Sequence, residues 1–153
     1  MGIIILIAVA AVIVVTLLLL VIKMLASPKK TDSIRKLLKQ GKTQSAIKLA
    51  KQIIAKNPKD YKAHYYLGRA YIQDNRAELA LMEFKFVNEN ALFGEELKEI
   101  PFRKELASMY RKFNQNEEAL RELLLLTKLD PNDSDVYFQT GELLLNAGKL
   151  ENA

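Results

Sequence analysis

The chain has 153 residues, half of them apolar, with 23 Lys/Arg against 18 Asp/Glu and no cysteine. That length allows one soluble domain of ordinary size plus an appendage. The lack of cysteine excludes disulfides and a thiol-linked lipid anchor, and a single histidine, His64, excludes a His-based metal cluster or a Cys/His catalytic pair.

Residues 3–22 (IIILIAVAAVIVVTLLLLVI) carry no charge and one polar side chain, Thr16. As a helix this run reaches about 30 Å, the hydrocarbon thickness of a bilayer, and only a helix satisfies its own backbone there. A cleaved signal peptide would need a positive stretch before a shorter apolar run and a small-residue cleavage site. Here Lys23 follows the run directly and "LAS" at 25–27 is a poor cleavage site. The expectation is a retained transmembrane anchor over 1–25, a short basic linker over 26–31 and a helical domain over 32–153.

The net charge of +5 hides a gradient: residues 23–62 hold 12 basic residues against Asp32 and Asp60, 12 − 2 = +10, and residues 63–153 hold 11 against 16, or −5. Basic residues beside a span stay on the cytoplasmic side, so Met1 is expected outside and the body of the chain in the cytoplasm. The same lysines would lie against anionic headgroups. No aromatic-and-basic motif accompanies them, so a nucleic-acid partner is not expected.

Beyond the anchor the sequence repeats. "GKTQSAIKLAKQIIAKNP" (41–58) and "NQNEEALRELLLLTKLDP" (114–131) both read as a turn, a small apolar pair, helical periodicity and a closing Pro. With Pro58 and Pro131 aligned, units begin at Ser27, Tyr61, Ile100 and Ser134, spaced 34, 39 and 34 residues apart. Small residues recur at Gly68, Ala107 and Gly141 and at Ala46, Ala80, Ala119 and Ala153, with Tyr71, Tyr110 and Phe84 at large apolar positions. This pattern resembles the tetratricopeptide repeat, a helix–turn–helix of 34 residues with small residues where its helices touch. The resemblance implies an all-α fold, a right-handed superhelix of antiparallel helix pairs after the transmembrane helix. Its repeats would run over 27–60, 61–99 with an insertion, 100–133 and an incomplete 134–153. Departures stand at Lys30, His64, Arg103 and Tyr137, where the family favours Trp, and at Ser33-Ile34, where it favours Leu-Gly; repeat one is therefore expected to open with a short, atypical helix. Leu92 replaces the closing Pro of repeat two and precedes "FGEELKEI".

The last letters, "GKLENA" (148–153), match the opening "GKTQSA" (41–46) of a second helix. Val136, Tyr137, Phe138, Leu143, Leu144 and Leu145 would lack the partner that helix supplies, so the chain is expected to be part of a longer repeat protein.

Other motifs reduce to the repeat. "GKT" at 41–43 lacks the earlier P-loop Gly, since Lys36 stands there, and follows a helix rather than a strand. Glu95, Glu96 and Glu99 lack calcium-loop spacing. His64 has no partners for base catalysis. No cofactor, metal or catalytic residue is expected.

The resemblance implies a concave groove lined by the first helix of each repeat. Its expected residues are Lys62, Tyr65 and Arg69, then Lys104, Ser108, Arg111 and Lys112, then Phe138, Glu142 and Asn146. Basic and aromatic side chains suit an acidic or amphipathic peptide. One subgroup of the family clamps a chaperone's C-terminal carboxylate with Lys and Asn; Tyr65, Arg69, Glu105 and Asp135 occupy those places here and do not support that partner. The expected function is a non-enzymatic, single-pass scaffold for protein–protein interaction at the inner face of a bacterial membrane. Two alternatives are the N-terminal part of a longer envelope-assembly regulator or enzyme, and an extracytoplasmic assembly factor.

Overall fold

Four turns set the architecture. Gly41, Asn75, Asn114 and Gly148 all adopt left-handed backbone, with φ of 71°, 58°, 56° and 67°, a region that Gly enters freely and Asn tolerates better than most side chains. After the first three, the next residue's N–H bonds back five residues: Lys42 to Leu37 O (2.9 Å), Arg76 to Tyr71 O (2.8 Å) and Gln115 to Tyr110 O (2.9 Å). These bonds satisfy carbonyls at a helix end and reverse the chain.

A computed structural model describes residues 13–18 and 30–148. The expected span 3–22 lies outside them except for 13–18, which are helical; the linker up to residue 29 and the last five residues also lie outside. Among the described residues no helix is long and apolar enough to cross a membrane.

Residues 30–148 form seven helices: α1 (Lys30–Lys39), α2 (Thr43–Lys56), α3 (Tyr61–Gln73), α4 (Ala77–Asn90), α5 (Glu99–Lys112), α6 (Asn116–Leu129) and α7 (Ser134–Asn146). At 10 residues α1 is shorter than the others, which have 13 or 14. Each helix packs on its neighbours in sequence, and α1 also reaches α3. The fold is an all-helical solenoid of the tetratricopeptide-repeat type.

The helix pairs close on small residues. A Cβ added at Gly68 would lie 2.5 Å from Phe84 Cε1, so the ring of α4 occupies the space that glycine leaves on α3. Phe84, Ala46, Ala80 and Ala119 are fully buried and Ala107 nearly so. A Cβ at Gly141 would meet nothing within 4 Å among the described residues.

Two of the positions where the family favours Trp, His64 and Arg103, hold satisfied polar groups. His64 stacks on Phe86 at 3.9 Å, with Nδ1 2.5 Å from Glu83 and Nε2 3.0 Å from the Pro58 carbonyl. The Arg103 guanidinium, 12% exposed, donates to Glu99 (2.7 Å), Glu122 (2.7 Å) and Asn88 (3.2 Å) and covers the Phe93 ring. Burial works to lower the Arg103 pKa, but its bonds to the two carboxylates outweigh burial and raise it.

Candidate functional site: a cleft on the first-helix face

The first helices α1, α3 and α5 present side chains to one face, and the 91–98 insertion supplies a wall. Leu97 is buried, and Phe93 packs against Phe102 at 5.5 Å. The Tyr61 hydroxyl donates to Leu92 O (3.1 Å), and Lys62 is ion-paired with Glu96. The insertion is thereby fixed to α3 and α5 at both ends and bends around Gly94, whose N–H reaches Leu97 O (3.0 Å).

Between this wall and α1 lies an open cleft of about 440 Å³. Its floor is aromatic and aliphatic, from Tyr65, Tyr66, Leu38 and Leu97, and its rim carries Arg35, Lys39, Arg69 and Lys98 beside Glu95 and Glu96. A smaller hollow of about 280 Å³, shared by Asp32, Arg35, Tyr66 and Glu95, continues it toward the start of α1. Beneath the floor, Tyr65 contacts Tyr66 (5.3 Å), Phe84 (5.9 Å) and Phe102 (6.1 Å), a packed aromatic base that holds the tyrosines in place. Burial raises the Tyr66 pKa, and nearby Arg35 only partly offsets this, so Tyr66 faces the cleft as a neutral hydroxyl at physiological pH.

The groove residues read from sequence divide into groups. Tyr65 and Arg69 are together: the guanidinium bonds the Tyr65 hydroxyl (3.0 Å) and lies over its ring. Arg69 is also paired with Glu105 at 3.3 Å. Burial would lower the Arg69 pKa, yet Glu105 and the Tyr65 bond raise it; burial raises the Glu105 carboxyl against the pull of Arg69. Lys104 is paired with Asp133, which raises the lysine and lowers the aspartate. Arg111 bonds Gln139 (3.0 Å) and Glu142 (2.6 Å), so two expected groove residues, Arg111 and Glu142, hold each other. Ser108, Phe138 and Asn146 are exposed, Phe138 by 70%. Lys112 lines a different hollow with Arg76, Glu78 and Phe113.

Thus α3, α5 and α7 are strapped by ion pairs that use much of the basic charge expected to meet a ligand. Sequence reading missed Arg35, Leu38, Lys39, Tyr66 and the insertion's Leu97. Their signal was slight: α1 departs from the repeat pattern, and an apolar Leu97 within a charged run, Glu95-Glu96-Leu97-Lys98-Glu99, is the one hint that the loop folds inward. Glu105 and Asp135, which replace clamp residues of the chaperone-binding subgroup, would repel a carboxylate.

Models of the tetratricopeptide repeat match residues 31–84 and 123–153. No curated protein matches the chain by sequence. Among solved structures it is similar to YrrB, described as a TPR protein with an unusual peptide-binding site, at 20% identity and TM-score 0.69, over 80% of this chain and 61% of that one. It is also similar to the Yersinia enterocolitica type III secretion chaperone SycD in complex with a peptide of the translocator YopD (17% identity, TM-score 0.60, 77% of this chain and 92% of that one). A third is the first TPR of Spaghetti (RPAP3) bound to an HSP90 peptide (14% identity, TM-score 0.59, 78% and 93%). The chain spans about three fifths of the YrrB structure, and at these identities the likeness shows the fold alone.

Proposed function

We infer, from the premise that this chain carries tetratricopeptide repeats, that it is a non-catalytic scaffold whose first-helix face holds a peptide segment of a partner protein. The observation that carries this reading is the open cleft with an aromatic floor and a charged rim on which four basic residues outnumber two glutamates. Tyr65 and Tyr66 offer rigid contact area at little entropic cost, and Lys39 and Lys98 offer charge at the edge beside Arg35, which is paired with Asp32 at 3.2 Å. The ligand that suits this arrangement is extended and amphipathic, with an apolar anchor for the Leu38/Leu97 floor and an acidic group near the rim. Peptides seated in the similar structures support this use of the fold.

The apolar run 3–22 and the +10 charge of residues 23–62 support a tether to a bacterial inner membrane, with the repeats in the cytoplasm. Tethering concentrates the cleft in the plane of the bilayer, so a modest intrinsic affinity serves for partners in that plane.

A photo-crosslinking residue at Tyr66 should capture a discrete partner, one at Met82 on exposed α4 should not, and Leu38→Asp should abolish the capture. Equal products from both positions would sink the cleft as the binding site. Reporters fused after Lys128, one active inside and one outside the cytoplasm, test the orientation. Outside activity would move the partner to exported or envelope proteins.

A further inference from the structure

A second cavity, of about 510 Å³, opens where repeat one meets repeat two. It is lined by Lys56, Asn57, Lys59, Asp60, Tyr61 and Lys62, with Thr31 and Ile53 behind them. Lys62 is paired with Glu96, and the Asp60 carboxylate is engaged in accepting from Ala63 N at 3.0 Å. Lys56 and Lys59 are exposed and make no ion pair among the described residues. The α3 helix also begins at this cavity, behind its Asp60 cap, and the first turn of a helix favours negative charge.

Its position in the chain gives the charge a partner. Thr31 stands in the first turn of α1, and only residues 23–29 separate that helix from the apolar run ending at Ile22. Those seven residues span at most about 25 Å when fully extended. On the tethered reading, the start of α1 lies within that reach of the bilayer surface, and the linking residues add Lys23 and Lys29. Tyr61 completes it with an aromatic ring of the kind that settles at headgroup level.

We propose that this cavity is a docking site for the phosphate headgroup of an anionic phospholipid, with Lys56 and Lys59 as its cationic walls. The proposal rests on the membrane-tethered reading. It adds a second point of attachment, which fixes the orientation of the solenoid on the membrane and leaves the peptide cleft on a defined side.

The test uses the full chain in phosphatidylcholine vesicles with and without phosphatidylglycerol. The chain has no native cysteine, so Ala55→Cys, exposed beside the cavity but outside its lining, and, at the far junction, Asn132→Cys each carry one fluorophore. Quenching by headgroup nitroxides is expected at position 55 only, in the anionic vesicles only, and to fade as salt screens the contact. Lys56→Gln with Lys59→Gln should shift the docked-to-undocked ratio roughly 25-fold, a factor of about 5 for each lysine near an anionic surface, with helical circular dichroism unchanged. Quenching that is equal in both vesicle types, or unmoved by the double substitution, overturns the proposal. So does a response to inorganic phosphate in neutral vesicles without one to anionic lipid, which would make this a free-phosphate site. Flotation with neutral vesicles at high salt reports the tether alone. If flotation fails, the tether reading falls, and addition of anionic vesicles to the dissolved chain still decides the lipid site.

Discussion

Repeats one and two build the same helix–helix contact with opposite volumes. In repeat two, Gly68 on α3 leaves room and Phe84 on α4 fills it. Thirty-four residues earlier the equivalent positions hold Ile34 on α1 and Ala50 on α2, both fully buried. Repeat three takes a middle course with Ala107 and Leu123, 39 residues after the repeat-two pair. What the fold conserves is the summed volume across the contact, because interiors are packed like crystals and a gap or an overlap is costly on either side. Ile34, read alone, looks like a departure from the repeat; read with Ala50 it is the same contact with its halves exchanged.

That comparison can be broken outright by Phe84→Ala, which empties the filled half. A loss of about 3–5 kcal/mol is expected, read as a lower urea midpoint. Arg103→Ala should cost about 3 kcal/mol, because it leaves Glu122 without its cation in a poorly solvated place. Arg103→Met paired with Glu122→Leu should recover most of that loss in the same titration. Gly68→Ala should cost about 1–3 kcal/mol, since the Phe84 ring is fully buried and has little room to move. The sharper test is Gly68→Ile with Phe84→Ala, which writes the repeat-one solution into repeat two. The double variant should lose clearly less than the sum of its single changes, and strict additivity would sink the volume argument.

Smaller effects separate the junctions between repeats. The α3 helix is capped by the Asp60 side chain, whereas α5 follows Lys98 with no side-chain cap. Asp60→Ala should therefore destabilise by about 1 kcal/mol, and Lys98→Ser should stabilise by a similar or smaller amount, both read by thermal melting. The smallest effect expected is on pH dependence. Burial raises the folded Glu105 pKa despite Arg69, so its contribution is complete below the ordinary carboxylate range and lost as pH rises through the raised value. Asp133 has the opposite sign: its lowered carboxyl contributes above that range and loses the contribution as pH falls through the lowered value. Glu105→Gln should leave the melting temperature at neutral pH unchanged or higher, and Asp133→Asn should lower it and flatten its fall in acid.

The sequence made the period legible, since the turn residues and the small positions on facing helices are local signals that recur. It also marked Gly68 as a point of close approach. The cleft was less legible. Tyr65 and Arg69 follow from the groove positions that the repeat resemblance implies, but Tyr66 and Leu38 line the cleft only because the insertion folds inward on Leu97 and Phe93, a packing choice with no periodic trace. The pairing of Arg69 with Glu105, 36 residues on, and of Arg111 with Glu142, 31 residues on, is likewise invisible within any single helix. Charges that look available on a helical wheel are taken by the next repeat.

Those pairs have a mechanical consequence. In a stacked array each unit touches only its neighbours, so a small angular change at every joint accumulates along the whole length. Arg69–Glu105, Lys104–Asp133 and Arg111–Glu142 all sit between consecutive first helices, on one side of the stack, and their attraction weakens as ions screen it. The curvature of this solenoid should therefore relax with ionic strength. Small-angle X-ray scattering would register this as a radius of gyration that grows with salt, and Glu105→Gln with Asp133→Asn and Glu142→Gln would remove the response. The molecule behaves as a spring whose stiffness is set by the solution around it.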